Sequence, residues 1–128
     1  MVWLFNCLVP ATIDKSNIKD LSPVVIAGQS QTLDCVVQGV PSPKIVWFRN
    51  GSRLTLDDNQ HIRVTQGGRY LEITMATVND TAVYQCRVAN EAGRDDVAYA
   101  LNVHGVYCFI SCFTYLFCFT CTCICAAC

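Results

Sequence analysis

From Ile18 to Val103 the chain runs in short stretches of alternating apolar and polar residues, broken by turn signals about every 8–12 residues, with no helical period. QTLDCVVQ sets Leu33, Cys35 and Val37 against Thr32, Asp34 and Gln38, the pattern of a half-buried strand. GVPSPK follows, and Pro41 and Pro43 suit neither a helix interior nor a central ladder. KIVWFRNGSRL then places Ile45 and Trp47 on one face, and its Asn50-Gly51 pair tolerates the positive φ of a two-residue primed turn. HIRVT and RYLEITM flank a turn at Gln66-Gly67-Gly68, and AVYQCRVAN and DVAYALNV are joined by EAGRD. No connection is long enough to hold a crossover helix. The pattern therefore predicts an all-β, antiparallel β-sandwich of roughly seven to nine strands, and it argues against a parallel sheet.

Composition bounds the rest. A chain of 128 residues has room for one domain and a tail. Nine Lys and Arg stand against ten Asp and Glu, so a net charge of −1 gives no electrostatic case for nucleic acid or an anionic membrane surface. Every charged residue lies between Asp14 and Asp96, whereas seven of the ten cysteines lie after Val106. The expected organisation is an N-terminal segment over 1–17, a domain over 18–104 and an apolar Cys-rich tail over 105–128. MVWLFNCLVPA has a short apolar run but no basic start, and Asn6 interrupts its centre. It reads as a truncated beginning, with a weak signal peptide as the alternative.

Cys35 and Cys86 both fall mid-strand with inward parity, Trp47 lies between them, and Tyr84 stands two residues before the second. With AGQSQTLDC, GVPSPKIVWFRNG, Leu71–Ile73, DTAVYQC from Asp80 to Cys86 and ANEAG from Ala89 to Gly93, the domain resembles the I-set immunoglobulin family. Ala82 stands where many I-set domains have glycine. The resemblance implies an inter-sheet disulfide between Cys35 and Cys86, with Trp47 packed against it. It also implies a Tyr84 hydroxyl tying down a corner, and a core that includes Leu71, Ile73 and Leu101. Arg63 and Asp80 are the candidates for the ion pair at the base of many such domains. The plainer alternatives are reduced cysteines packed as small apolar groups, and two solvated charges. The closing ALNVH resembles domain ends in hemicentin-type matrix proteins, and WFRNG is equally similar to titin-like muscle proteins.

Catalytic motifs are missing from the sequence. His61 and His104 are its two histidines, neither in a nucleophile motif, and there is no phosphate-cradling glycine loop or HExxH. Asp57-Asp58 and Asp95-Asp96 read as solvated loop carboxylates rather than a calcium site. No enzyme activity, cofactor or metal is expected. Asn50-Gly51-Ser52 and Asn79-Asp80-Thr81 are glycosylation sequons on predicted turns, although the turns alone account for both asparagines.

What remains is a binding function, which the fold alone does not specify. The reading is an extracellular cell-adhesion or matrix module from a tandem array. Its alternatives are an intracellular sarcomeric domain and the ectodomain of a membrane-anchored receptor. Partners are expected to be other proteins, neighbouring immunoglobulin domains or second copies among them. The expected binding face is the outer surface of the sheet carrying strands C, F and G, with Val46, Phe48, Arg87 and Val88 pointing outward. An aromatic beside an arginine matches the composition of interface anchors. The plainer account packs Phe48 under a neighbouring strand.

Val106–Cys128 is 23 uncharged residues, long enough to span a bilayer. No Lys or Arg follows it, however, and β-branched, aromatic and cysteine residues crowd out leucine and alanine. A polar spacer for a lipid-anchor signal is also missing, and the spacing of Cys121, Cys123, Cys125 and Cys128 is unlike a structural zinc site. Phe, Tyr and Cys codons all begin with T, and the Val106 codon must begin GT, as intron donors do. The tail is therefore expected to be translated non-coding sequence or a mispredicted gene end, with a membrane anchor as the alternative.

Overall fold

The computed structural model describes residues 7–55, 61–110 and 123–127. The first six residues of the MVWLFNCLVPA segment, the Asp57-Asp58 pair and most of the tail's apolar run lie outside the described residues. The described strands are β1 (Val9–Ile13), β2 (Val24–Ile26), β3 (Gln31–Asp34), β4 (Val37–Val40), β5 (Lys44–Arg49), β6 (Ser52–Arg53), β7 (Ile62–Thr65), β8 (Tyr70–Ile73), β9 (Ala82–Asn90) and β10 (Gly93–His104). A ribbon of β11 (Val106–Ile110) and β12 (Cys123–Ala127) follows, antiparallel, with Cys108 opposite Cys125 in register.

One sheet runs in the order β2-β10-β9-β5-β6, the other contains β3-β8-β7, and β1 pairs with β4. Inward alternation along β9 and β10 buries Ala82, Tyr84, Cys86 and Val88 on one strand and Val97, Tyr99, Leu101 and Val103 on the other. These meet Leu33, Ile62, Leu71 and Ile73 from the opposing sheet in a single core. Asn50 at φ 48° and Gly51 at φ 83° form the tight link between β5 and β6, the left-handed pair that a primed turn requires.

Three features depart from the sequence reading. The pair β2–β10 is parallel, with Val24 opposite Asn102 and Ile26 opposite His104. The connection that makes this feasible is the whole intervening domain rather than a crossover helix. Residues 1–17 do not all stand outside the sandwich, because Val9–Ile13 forms β1 and buries Ala11 and Ile13. Among the described residues ten strand segments rather than nine build the body, because the run from Gln31 to Val40 breaks at Cys35-Val36 into β3 and β4.

Cys35 and Cys86 form a disulfide across the core, with an S–S distance of 2.01 Å and a Cα–Cα separation of 6.4 Å. Trp47 lies opposite Cys86 in the β5–β9 register, is 3% exposed, and donates its Nε1–H to the Gly68 carbonyl at 2.7 Å. Its ring stacks at 6.4 Å between centroids on Tyr99. Burial, reinforced by the Asp34 charge, pushes the Tyr99 phenol up to about 12, so its hydroxyl remains a donor to the Asp34 carbonyl. Gly68 sits at φ 106°, and a Cβ there would lie 2.8 Å from that of Ile45. Only glycine brings this carbonyl to the indole.

Candidate interaction surface

The residues with assigned roles fall into two groups: a polar knot at the base of the sandwich, and the solvent faces of the β10-β9-β5 sheet. In the knot, Tyr84 donates its hydroxyl to the Asp80 carbonyl at 2.7 Å, closing the corner ahead of β9. The Asp80 carboxylate, almost wholly buried, accepts from the Thr77 backbone N–H at 2.8 Å, from the Thr77 hydroxyl, and from His61 Nε2 at 2.9 and 3.0 Å. The Thr77 contacts make a capping box on the short 3-10 turn Val78–Asp80.

The partner of Asp80 is therefore His61, not Arg63. Ile62 must face the core, so Arg63 points outward, opposite Glu72 in the β7–β8 register. His61, one residue before the strand and of Arg63's parity, lies over the base.

Burial works to raise the Asp80 pKa, but the Thr77 backbone N–H, the His61 hydrogen bond and charge, and the Thr77 hydroxyl together hold it below the ordinary 3.8. A carboxyl with a lower pKa folded than unfolded stabilises the fold above the unfolded value and loses that contribution as pH falls through the folded pKa. Urea unfolding should therefore show stability declining below about pH 4. Asp80→Asn should cost about 1–3 kcal/mol at pH 7 and flatten the acid limb.

At the opposite pole, Asn90 joins three segments. Its Oδ1 accepts from the backbone N–H of Ala11, Ala92 and Gly93, and its Nδ2 donates to the carbonyls of Val9 and Pro41. Asp95 adds a second tie to β1, accepting from the Ile13 N–H at 2.9 Å and from Lys15 Nζ at 3.0 Å. Asn90→Ala should cost about 2–3 kcal/mol, since it strips partners from several backbone groups at once, as an equilibrium denaturation curve would register.

On the outer face, the β5–β9 register sets Val46 opposite Arg87 and Phe48 opposite Gln85. Val46 and Phe48 are half-buried, and the Arg87 guanidinium lies 4.5 Å from the centroid of the Phe48 ring. Phe48 is thus partly capped by its neighbour rather than standing free. Val88 does not belong to this face. It follows Arg87 directly, shares parity with Tyr84 and Cys86, and is 0% exposed in the core.

A more open apolar area, which the sequence reading missed, lies on the same sheet toward β2. Val24 is 60% exposed, Leu21 50% and Val83 46%, and Val83 faces Ala100 across β9–β10. Parity could have found Val83, since it stands between the inward Ala82 and Tyr84. Its neighbour Val24 needed the long-range β2–β10 pairing.

The immunoglobulin I-set domain family model matches residues 16–103. Human hemicentin-1 is 40% identical over 97 residues, a match covering 75% of this chain and 2% of that protein. Chicken cardiac-type myosin-binding protein C is 39% identical over 79 residues, covering 62% of this chain and 6% of the relative. The chain thus spans a small fraction of the curated relatives it matches. The titin M10–obscurin-like 1 immunoglobulin complex superposes with a TM-score of 0.62 at 31% identity, covering 76% of this chain and 96% of the matched chain. The disulfide, the buried indole, the tyrosine corner and the two-sheet topology agree with these likenesses: the chain belongs to the immunoglobulin I-set domain family.

Proposed function

We propose that this chain is a non-enzymatic protein–protein interaction module, an extracellular adhesion or matrix domain from a tandem array of immunoglobulin domains. The observation that carries this reading is the Cys35–Cys86 disulfide, a cross-link characteristic of oxidising compartments. The identity to hemicentin-1, the ALNVH ending and the exposed asparagines of two sequons support it. Mass spectrometry of protein taken from its native source without reduction tests it. The expected result is a linked Cys35–Cys86 peptide, and a free Cys35 thiol would overturn the extracellular reading.

The intracellular sarcomeric reading is favoured by the identity to myosin-binding protein C and the likeness to titin domains, and it requires both thiols reduced. A membrane-anchored setting rests on the uncharged run from Val106 to Cys128. Among the described residues no helix is long and apolar enough to cross a membrane.

The partner class is protein, as in the titin complex with obscurin-like 1. The face formed by Val46, Phe48 and Arg87 is the proposed contact, with Arg87 as the charge that stacks on Phe48 in the free domain. Phe48→Ala should weaken partner binding or self-association about 10-fold or more, read by ultracentrifugation or a binding isotherm. Unchanged binding removes this face from consideration.

A further inference from the structure

Asn50 stands exposed at the tip of the β5–β6 turn, beside the open apolar area rather than beside Phe48. Its backbone N–H donates to the Val83 carbonyl at 2.8 Å, and its Oδ1 accepts from the Val83 N–H at 2.9 Å. The side chain is therefore held by its oxygen, and among the described residues no hydrogen bond engages Nδ2. Ser52, the third residue of the sequon, is exposed. The other sequon is built differently. The Thr81 hydroxyl accepts from the Val103 N–H at 3.0 Å and faces the Val103 carbonyl, while Asp80 between Asn79 and Thr81 is buried. Asn79 and Thr81 are themselves exposed, but once β10 docks the Thr81 hydroxyl is tied to the Val103 backbone, whereas the Ser52 side chain makes no such bond among the described residues.

Next to Asn50 lies a shallow hollow whose lining combines the apolar Val24, Val83 and Ala100 with the polar Asn50, Ser22, Asn102 and Thr81, the last being the hydroxyl residue of the other sequon. A lining that combines apolar side chains with hydroxyl and amide groups suits a pyranose, which presents C–H groups on its faces and hydroxyls around its edge. Asn50 is itself part of the lining, so a sugar attached to it starts at the hollow. Uncovered, these side chains leave a contiguous apolar patch on a solvent face.

We propose that Asn50 carries an N-linked glycan whose first sugars lie over the Val24–Val83–Ala100 hollow and shield it from self-association. This rests on the extracellular reading above. In the transfer, Asn50 Nδ2 attacks C1 of an oligosaccharide carried on a lipid pyrophosphate. The C1–N bond forms, the C1–O bond to the pyrophosphate breaks, the lipid pyrophosphate departs, and Nδ2 gives up one proton. No oxidant or reductant is needed. The amide keeps its oxygen, so the bond from the Val83 N–H survives and the turn is unchanged.

The full chain, placed behind a cleavable secretion signal in a glycosylating eukaryotic host, tests this directly. Site occupancy is read by peptide mass spectrometry on both secreted and cell-associated protein. Asn50 should be modified in the wild type and in Asn79→Gln, and unmodified in Ser52→Ala, which leaves Asn50 itself in place. Unglycosylated Ser52→Ala, with its disulfide intact, should bind an apolar dye severalfold more strongly and sediment as a larger species. Ser52→Ala/Val83→Ser should return both readouts toward the wild type. An unmodified Asn50, or a Ser52→Ala protein that matches the wild type in dye binding and sedimentation, overturns the proposal. Entry into the secretory pathway is imposed by the added signal, so this outcome is independent of the native compartment, which the Cys35 thiol measurement reads separately.

Discussion

Trp47→Ala should lower stability by about 3–5 kcal/mol, enough to threaten folding in a domain whose total is on the order of 5–15 kcal/mol. The indole is 3% exposed and lies opposite Cys86, so the space it leaves is walled by a disulfide that cannot move inward. Two further losses add to the cavity: the Gly68 carbonyl gives up its 2.7 Å partner, and Tyr99 loses the ring stacked on it. Trp47→Phe should recover part of the volume but not the hydrogen bond, and should fall between the two. Thermal melting separates the cases, because a shift of several degrees per kcal/mol is expected for a domain of this size. A Trp47→Ala protein melting within a degree of the wild type would mean that the indole does not fill the core.

Cys35→Ala/Cys86→Ala should cost about 4 kcal/mol on the chain-entropy model, since the cross-link closes a sequence separation of 51 residues. Both cysteines are 0% exposed, so the pair is replaced by two small apolar groups without stranding a polar one. The effect should therefore come chiefly from the greater freedom of the unfolded chain. Urea titrations with and without reductant distinguish this from a packing defect. The wild type should lose stability on reduction, whereas the double variant should be indifferent to it. Should reduction leave the wild-type midpoint unmoved, the cross-link is not what holds the two sheets together.

Local signals made most of the sandwich legible. AVYQCRVAN coincides with β9 because strict alternation there matches one buried and one solvated face. Asn50-Gly51 marked its turn because few other pairs accept two positive φ values in succession. The misreadings share a different cause. β1 contains Pro10 and owes its place to Asn90 and Asp95 near the far end of the domain, so nothing within VPATI announces a strand. The parallel β2–β10 pair likewise depends on partners separated by most of the chain. The inward place of Val88 follows from parity alone, since adjacent residues Arg87 and Val88 cannot both face solvent. The His61–Asp80 contact turned on which residue comes to rest over the base of β7, a matter of strand position rather than residue type. The outer-face patch was half legible: Val83 from alternation, Val24 only from topology.

The side-chain ties on β1 bear on the order in which the domain is completed during synthesis. Ala11 is held by Asn90, 79 positions later, and Ile13 by Asp95, 82 positions later. A nascent chain can lay β1 along β4 early, but the side chains that fasten its backbone emerge only after β9 has been made. The closing of so long a loop is entropically opposed until the β9–β10 hairpin is in place to compensate. β1 is therefore fastened late although it precedes β4 in the chain, and until then the edge of β4 that β1 will cover is closed only by a loosely held strand.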